Sequence, residues 1–484
     1  MPDIILNGLD PLTGEYLIPP MSIDEAAGLA AAGPAAHAAT SALGQAAALV
    51  HESLTTKVLG LPFGINPRNI AECGWGLVFQ ANEDPEVVKA FAPLLALRAQ
   101  QVGNPAKIKE RLVYNGKDFA PWLAALGVAP GDIKPNRVPF FLFVVGDPDK
   151  IPFEFTQLLG INYAVGRIHL DSVADYQRYV KAVVDYETMP GATNAKEALF
   201  FGTSHFNDGA TNLSCAQLVK PLADGVDGEP GPAQDAGFGI SKLMAAEATK
   251  AALLQYLTRP AGQNPPALLF TASHGLGWKM DDPRQQTSQG ALLCADWKGL
   301  GFSPVPMTPD QYLAASDVKD ANVRNLIAFV FACYGLGTPA QDKFSFKPPA
   351  PPATIAAKPF FAPLPKALLS ASQGPALAVF GHMERAWASS IQPPGAGPQI
   401  QAFDNALRSI LAGDPIGLAL TGFRDRYSNF AGILNGLLAK MLLQVPVDDT
   451  ELASAWMQEN DAEAYMLFGD PAIKLRLDKL QAAQ

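Results

Sequence analysis

Apolar runs only a few residues long recur along the chain at 74–79, 139–145, 198–202, 267–275, 326–335 and 376–381, several of them closing on glycine. Uninterrupted runs of that length predict strands buried on both faces, as in a parallel sheet. Between them the sequence predicts helices at 85–101, with Asp84 as N-cap and Pro85 in the first turn, and at 245–257, 399–411 and 430–443. A further helix, capped by Asp171, is expected to run to Glu187, and short strands are expected at 163–168 and 290–294. Strands alternating with helices at this spacing argue for an α/β fold whose mainly parallel sheet is covered on both faces. The pattern divides into a partly helical N-terminal arm over 1–60, a smaller α/β subdomain over 61–190, and a larger α/β domain over 191–484. The arm begins with turn signals at Asn7-Gly8 and Thr13-Gly14. The proline-dense stretch 338–365 predicts a long loop, because proline removes backbone donors and resists both helix and central strand.

Composition narrows the functional classes. A net charge of −10 and a pI near 5.2 argue against nucleic acid, which calls for a basic face, and give no reason to expect an anionic membrane as partner. The four cysteines, Cys73, Cys215, Cys294 and Cys333, are scattered without a CxxC pair. A zinc site or disulfide framework is therefore not expected, and a reducing compartment is the default. The start of the chain lacks a basic region followed by an apolar core, and no stretch approaches ~18 uninterrupted apolar residues. The expected setting is cytoplasmic, without membrane attachment, metal or cofactor.

Two apolar runs carry the chemistry. The first ends Thr271-Ala272-Ser273-His274-Gly275, and the second ends Phe331-Ala332-Cys333-Tyr334-Gly335. Side chains just past the carboxyl ends of parallel strands face the crevice where open α/β sheets bind ligands. A histidine at one such end and a cysteine at another are the parts of a thiol nucleophile and its acid/base partner. A lone buried cysteine reads more simply as core; the companion histidine, and a glycine after each residue, shift that balance. Cys73, Cys215 and Cys294 have no such companion and read as core. His382, in Phe380-Gly381-His382-Met383-Glu384-Arg385, is the rival histidine. Gly335-Leu336-Gly337-Thr338-Pro339-Ala340 matches a dinucleotide fingerprint, but Pro339 and the prolines beyond it leave no helix N-terminus for a pyrophosphate.

The His274-Gly275 and Ala332-Cys333 pairing resembles the caspase-fold cysteine peptidases, in particular their gingipain-like and CHAT-domain branches. Val145-Gly146-Asp147-Pro148, Val165-Gly166-Arg167 and the closing Gly469-Asp470-Pro471 resemble ordered motifs of the gingipain-like branch, so the likeness spans 139–477. It implies a caspase-like three-layer α/β/α fold and a cysteine endopeptidase with Cys333 as nucleophile and His274 as acid/base. The amides of Gly275 and Cys333 would form the oxyanion hole, and no cofactor or metal would be needed. Relatives that cleave after basic residues carry an acid in the pocket, for which Asp342, Asp281 and Asp282 are candidates. Glu384 and Trp387 are candidate pocket groups, while Asp147 and Arg167 read as structural. The implied partner is a protein or peptide substrate, with an activating or regulated partner protein in a bacterial setting. The alternative is an inactive caspase-fold scaffold that binds partners through its arm or proline-rich loop.

Overall fold

The computed structural model describes residues 4–37, 60–191, 194–259, 263–300, 306–344, 352–393 and 396–482. The buried runs become the strands of one ten-stranded sheet. In chain order these are β1 Trp75–Gln80, β2 Ile108–Tyr114, β3 Phe141–Val145, β4 Ala164–Ile168, β5 Ala195–Gly202, β6 Gly239–Met244, β7 Pro266–Ala272, β8 Ile327–Phe331, β9 Ala378–His382 and β10 Tyr465–Gly469. The helices that matter below are α1 Ile23–His37, α2 Pro85–Ala90, α3 Ala92–Val102, α4 Val173–Thr188, α5 Lys250–Leu257, α6 Gln401–Leu411, α7 Thr421–Leu442 and α8 Asp449–Glu463.

Across the sheet the strands lie in the order β2-β1-β3-β4-β10-β9-β8-β7-β5-β6. Every neighbouring pair is parallel except β9 and β10. Two parallel halves thus run in opposite directions and meet at that single antiparallel seam. Helices flank the sheet, giving a three-layer α/β/α fold. The 61–190 segment does not stand beside the larger domain as a separate layer: its strands extend the same sheet, and the C-terminal strand β10 closes the gap by pairing with both β4 and β9.

Aromatic side chains fill the middle of the core. Phe329 of β8 stacks on Phe270 of β7 at 5.3 Å and on Phe380 of β9 at 5.7 Å. Phe403 of α6 and Phe423 of α7 close over it. The seam is pinned by a polar cluster just past β10. Asp470 accepts from Trp75 Nε1 at 2.9 Å and from Arg98 Nε and Nη2 at 2.9 and 2.7 Å, while Arg98 also reaches Glu187. A buried arginine keeps its charge only with such partners. Arg167 of β4, in the same half, is also buried but donates to neutral acceptors, the carbonyls of Gly146, Ile151 and Pro152 and the Thr156 hydroxyl.

Local departures from the pattern have identifiable causes. The 85–101 segment breaks at Phe91 into α2 and α3, because Pro93 has no N–H to continue the ladder. Ser172, not Asp171, caps α4, accepting from Asp175 N; Asp171 instead pairs with Lys366. Of 245–257 only α5 is α-helical, after a 3₁₀ turn at Ala245–Glu247. The 290–294 run supplies only Leu292–Leu293, paired with Tyr312–Leu313 outside the main sheet. The 338–365 stretch is more ordered than its prolines suggest. Gly337–Thr338 pairs with Phe360–Phe361, Gln341–Asp342 pairs with Ala353–Thr354, and a helix spans Pro363–Leu369. Prolines 363 and 365 fall in its first turn, where the missing N–H costs nothing. The rest of the expected loop, 345–351, lies outside the described residues, as does the arm from 38 to 59.

Candidate functional site

Parallel neighbours β7 and β8 carry His274 and Cys333 out of the sheet at the same end. Ser273 fixes the first turn: its N–H donates to Phe331 O at 3.1 Å and its hydroxyl to Leu293 O at 2.5 Å. The two strand ends then touch through backbone. A Cβ on Gly275 would fall 1.8 Å from the Cys333 carbonyl oxygen, so glycine is required for the approach. After Cys333 the chain turns through Tyr334 in a left-handed conformation (φ 55°). Among the described residues, the amides of Gly275 and Cys333 donate to no protein acceptor.

His274 is buried, and both ring nitrogens are engaged. Nε2 lies 2.7 Å from Asp208 Oδ2, and Nδ1 accepts the backbone N–H of Gly8 at 2.8 Å. Because an amide can only donate, Nδ1 carries no proton; the ring is neutral, with its hydrogen on Nε2 directed at Asp208. Asp208 comes from the loop after β5, where it caps the helix Gly209–Ser214. Its carboxylate also accepts from Thr211 Oγ1 and from Tyr16 Oη, each at 2.5 Å. Burial disfavours its charge, but the hydrogen bonds it accepts from the His274 ring, Thr211 and Tyr16 outweigh burial and hold the acid below the ordinary carboxylate range. His205, beside the same group, is driven down to about 4, chiefly by burial.

Cys333 is fully buried, its Sγ 3.8 Å from Ala386 O. Burial pushes the thiol far above its ordinary range, against the opposing field of Arg385, so in this arrangement it is a thiol, not a thiolate. What covers it is the start of the chain. Gly8 sits so close that a Cβ there would be 3.1 Å from Cys333 Sγ. One glycine of the arm therefore lies against both the thiol and the imidazole.

The remaining candidates fall into three groups. Arg385 Nη2 binds Asp342 Oδ2 at 2.6 Å and Nη1 binds the Tyr334 hydroxyl. Asp342 is thus neutralised inside the protein, which removes the basis for reading it as the receptor of a cationic side chain. Glu384 is buried beside this pair, and burial raises it to about 7 although Arg385 opposes the shift. Asp282 is tied to Arg284 and Asp281 is exposed; neither is drawn to the cysteine by any contact among the described residues. Trp387 forms a wall, its ring edge-on to Phe344 at 5.0 Å and to Trp456 at 5.4 Å. The rival His382 is turned away: Nε2 faces Asp461 O at 3.1 Å and Nδ1 accepts from Glu384 N. Asp208 escapes sequence reasoning, since Asn207-Asp208-Gly209 reads as an ordinary turn and lies 66 residues from His274.

No family model matches the chain, and no curated protein does. Among solved structures, one described as “Structure of Protease” is similar with a TM-score of 0.45 and 14% identity, covering 83% of this chain and 78% of that one. Among the described residues no helix is long and apolar enough to cross a membrane, and no cluster of His, Cys, Asp or Glu is arranged to hold a metal ion.

Proposed function

We propose that the protein is a caspase-like cysteine endopeptidase with Cys333 as nucleophile, His274 as acid/base and Asp208 as the group that orients it. The observation that carries this reading is the His274 ring. Its outer nitrogen meets a peptide N–H right beside the Cys333 sulfur, while its inner nitrogen is held by a buried carboxylate. That is where a leaving amide nitrogen must lie for acyl transfer.

In the proposed reaction His274 Nδ1 takes the thiol proton as sulfur bonds to the substrate carbonyl carbon. The oxyanion is received by the amides of Gly275 and Cys333, each donor contributing about 3 kcal/mol in comparable sites. The C–N bond then breaks, Nδ1 returns the proton to the amine, and a thioester remains. Water adds to the thioester through the same base, releasing the acid and restoring the thiol. Asp208 stays ionised throughout and stabilises the transient imidazolium. The substrate is an extended protein segment, and with Asp342 paired to Arg385 that acid is not offered to a basic residue.

Digestion of a mixed peptide pool by the full chain, followed by mass spectrometry, tests the assignment. Cleavages should appear, in the full chain or once the segment over Cys333 is dislodged by substitution, that are absent when Cys333→Ala or His274→Ala is added, and a peptidyl electrophile should add its mass at Cys333 in the same protein. A cleavage pattern that survives Cys333→Ala overturns the assignment.

A further inference from the structure

Residues 4–21 fold back on themselves as a two-legged hairpin. Ile4 bridges Met21, Leu9 bridges Tyr16, and the turn is closed by the amides of Thr13 and Gly14 on Asp10 O. The second leg and α1 rest on the body of the protein. The first leg lies in the crevice at the ends of β7 and β8, hydrogen-bonded on both sides. On one side Asn7 N donates to Ala386 O at 2.9 Å, and Leu6 forms an antiparallel bridge with Trp387. On the other, Gly277 N donates to Leu9 O at 3.0 Å, and Leu9 bridges Leu276 in parallel. Ile4, Leu6, Asn7 and Leu9 are each no more than 2% exposed. The segment is therefore bound as a strand added between two rims, the way a peptide ligand is taken up by strand addition.

The register of this strand matters more than its presence. It puts the Asn7–Gly8 peptide at the reacting groups, with the Gly8 N–H on His274 Nδ1 and the bare Cα of Gly8 over the Cys333 sulfur. Asn7 goes in with an uncharged side chain: Nδ2 points at Ser273 O, 3.5 Å away, and Oδ1 is buried without a partner. Gly8 has φ +135°, a region that L side chains rarely adopt. Tyr16, on the second leg, ties the hairpin to Asp208 as well. The lone pair needed to deprotonate the thiol is thus already occupied by an amide hydrogen, and solvent and substrate are kept off the sulfur.

We infer that the first leg of the hairpin, residues 4–9, is an autoinhibitory strand seated in the substrate cleft, and that substrates are extended segments that replace it between Leu276 and Trp387. The inference rests on the peptidase reading for what the cleft does, but not for whether the cleft is covered. Release of the leg frees His274 Nδ1, opens the path to Cys333, and returns Ala386 O and Gly277 N to an incoming strand.

The experiment compares iodoacetamide alkylation of Cys333 in the unmodified full chain, Gly8→Val and Leu6→Asp, with peptide-pool cleavage and backbone hydrogen exchange over 4–21 followed in parallel. Valine at residue 8 meets both the φ penalty and the sulfur, and aspartate at residue 6 breaks the apolar seat beside Trp387. Alkylation of Cys333 is expected to rise at least tenfold in both variants, with faster exchange over 4–9 and no change at Cys73, Cys215 or Cys294. If Cys333 becomes reactive and the pool is cleaved, both readings stand. If it becomes reactive and nothing is cleaved, the covering strand stands and the peptidase reading falls. Unchanged alkylation in both variants overturns the inference, whether or not the leg exchanges faster. So does a Cys333 that reacts as fast as free cysteine in the unmodified chain, a result that depends on no variant folding.

Discussion

Asp208 gives His274 a single tautomer and direction, and a neutral replacement should expose how much of the chemistry depends on that. Asp208→Asn keeps the size of the side chain but removes the charge that stabilises an imidazolium. We expect kcat on a cleaved peptide to fall roughly a hundredfold or more with a much smaller change in KM, a split that mere loosening of the loop would not give. Stability should respond to pH as well. Because the folded Asp208 carboxyl sits below its ordinary value, the stability it contributes is fully present above about pH 4 and is lost as the pH falls through the lower folded value. Denaturant midpoints measured between about pH 4 and pH 2 should therefore drop less in Asp208→Asn than in the unmodified chain; an equal drop would locate the acid sensitivity elsewhere. His274 and Cys333 could be singled out in the sequence because each ends an apolar run. Asp208 could not, because an Asp-Gly turn is common and its meaning here depends on a contact made only in three dimensions. Gly8 was misleading in the other direction. Asn7-Gly8 has the composition of a turn, yet the turn of this hairpin is at Asp10–Gly14, and Gly8 is glycine because a backbone must pass against a sulfur atom.

At the scale of elements, buried strands were legible and edge strands were not. β1, β3, β5, β7, β8, β9 and β10 all contain the continuous apolar signature, and β4 contains it but for Arg167. The two strands that lack it, β2 and β6, are the outermost in the sheet: Ile108–Tyr114 is buried only at Leu112 and Tyr114, and Gly239–Met244 has no fully buried position. An edge strand covered on one side needs no uninterrupted apolar run. α8 was equally hard to see, since Asp449–Glu463 carries many polar residues although most of its later turns are buried. The proline-rich segment shows the opposite error, because prolines at the first turn of a helix are compatible with it. The central strands should be correspondingly sensitive. Phe329→Ala removes a ring packed between Phe270, Phe380 and Phe403, with no exposed surface to collapse from. A loss of about 3–5 kcal/mol in urea denaturation is expected; a loss below about 1 kcal/mol would mean that the layer repacks around the gap.

For the molecule as a whole, the decisive feature is that the last strand is a central one. β10 lies between β4 and β9, so the half-sheet formed by β1 to β4 and the half that carries His274 and Cys333 join only when residues 465–469 are in place. The Gly469-Asp470-Pro471 turn, legible in the sequence as a recurring motif but not as a device, is what holds that strand. Asp470 gathers Trp75 from β1 and Arg98 from α3, its N–H meets Tyr179 Oη of α4, and the same hydroxyl donates to Leu377 O ahead of β9. One carboxylate and one phenol thus link the two halves across the seam. Arg98 is 1% exposed and Asp470 wholly buried, so removing the acid leaves the buried cation with Gln101 and with Glu187 as its one remaining carboxylate among the described residues. Breaking a buried pair from one side costs roughly 3–5 kcal/mol, and we expect Asp470→Asn to lose about that much in urea denaturation. The seam also predicts where the damage travels. If the halves depend on β10 for their union, hydrogen exchange in Asp470→Asn should rise in β4 and β9 together, although only one of them belongs to the half that carries the reactive residues. Exchange confined to β1 and α3, the elements that supply Trp75 and Arg98, would show instead that Asp470 serves its own half and that the seam is held by strand pairing alone.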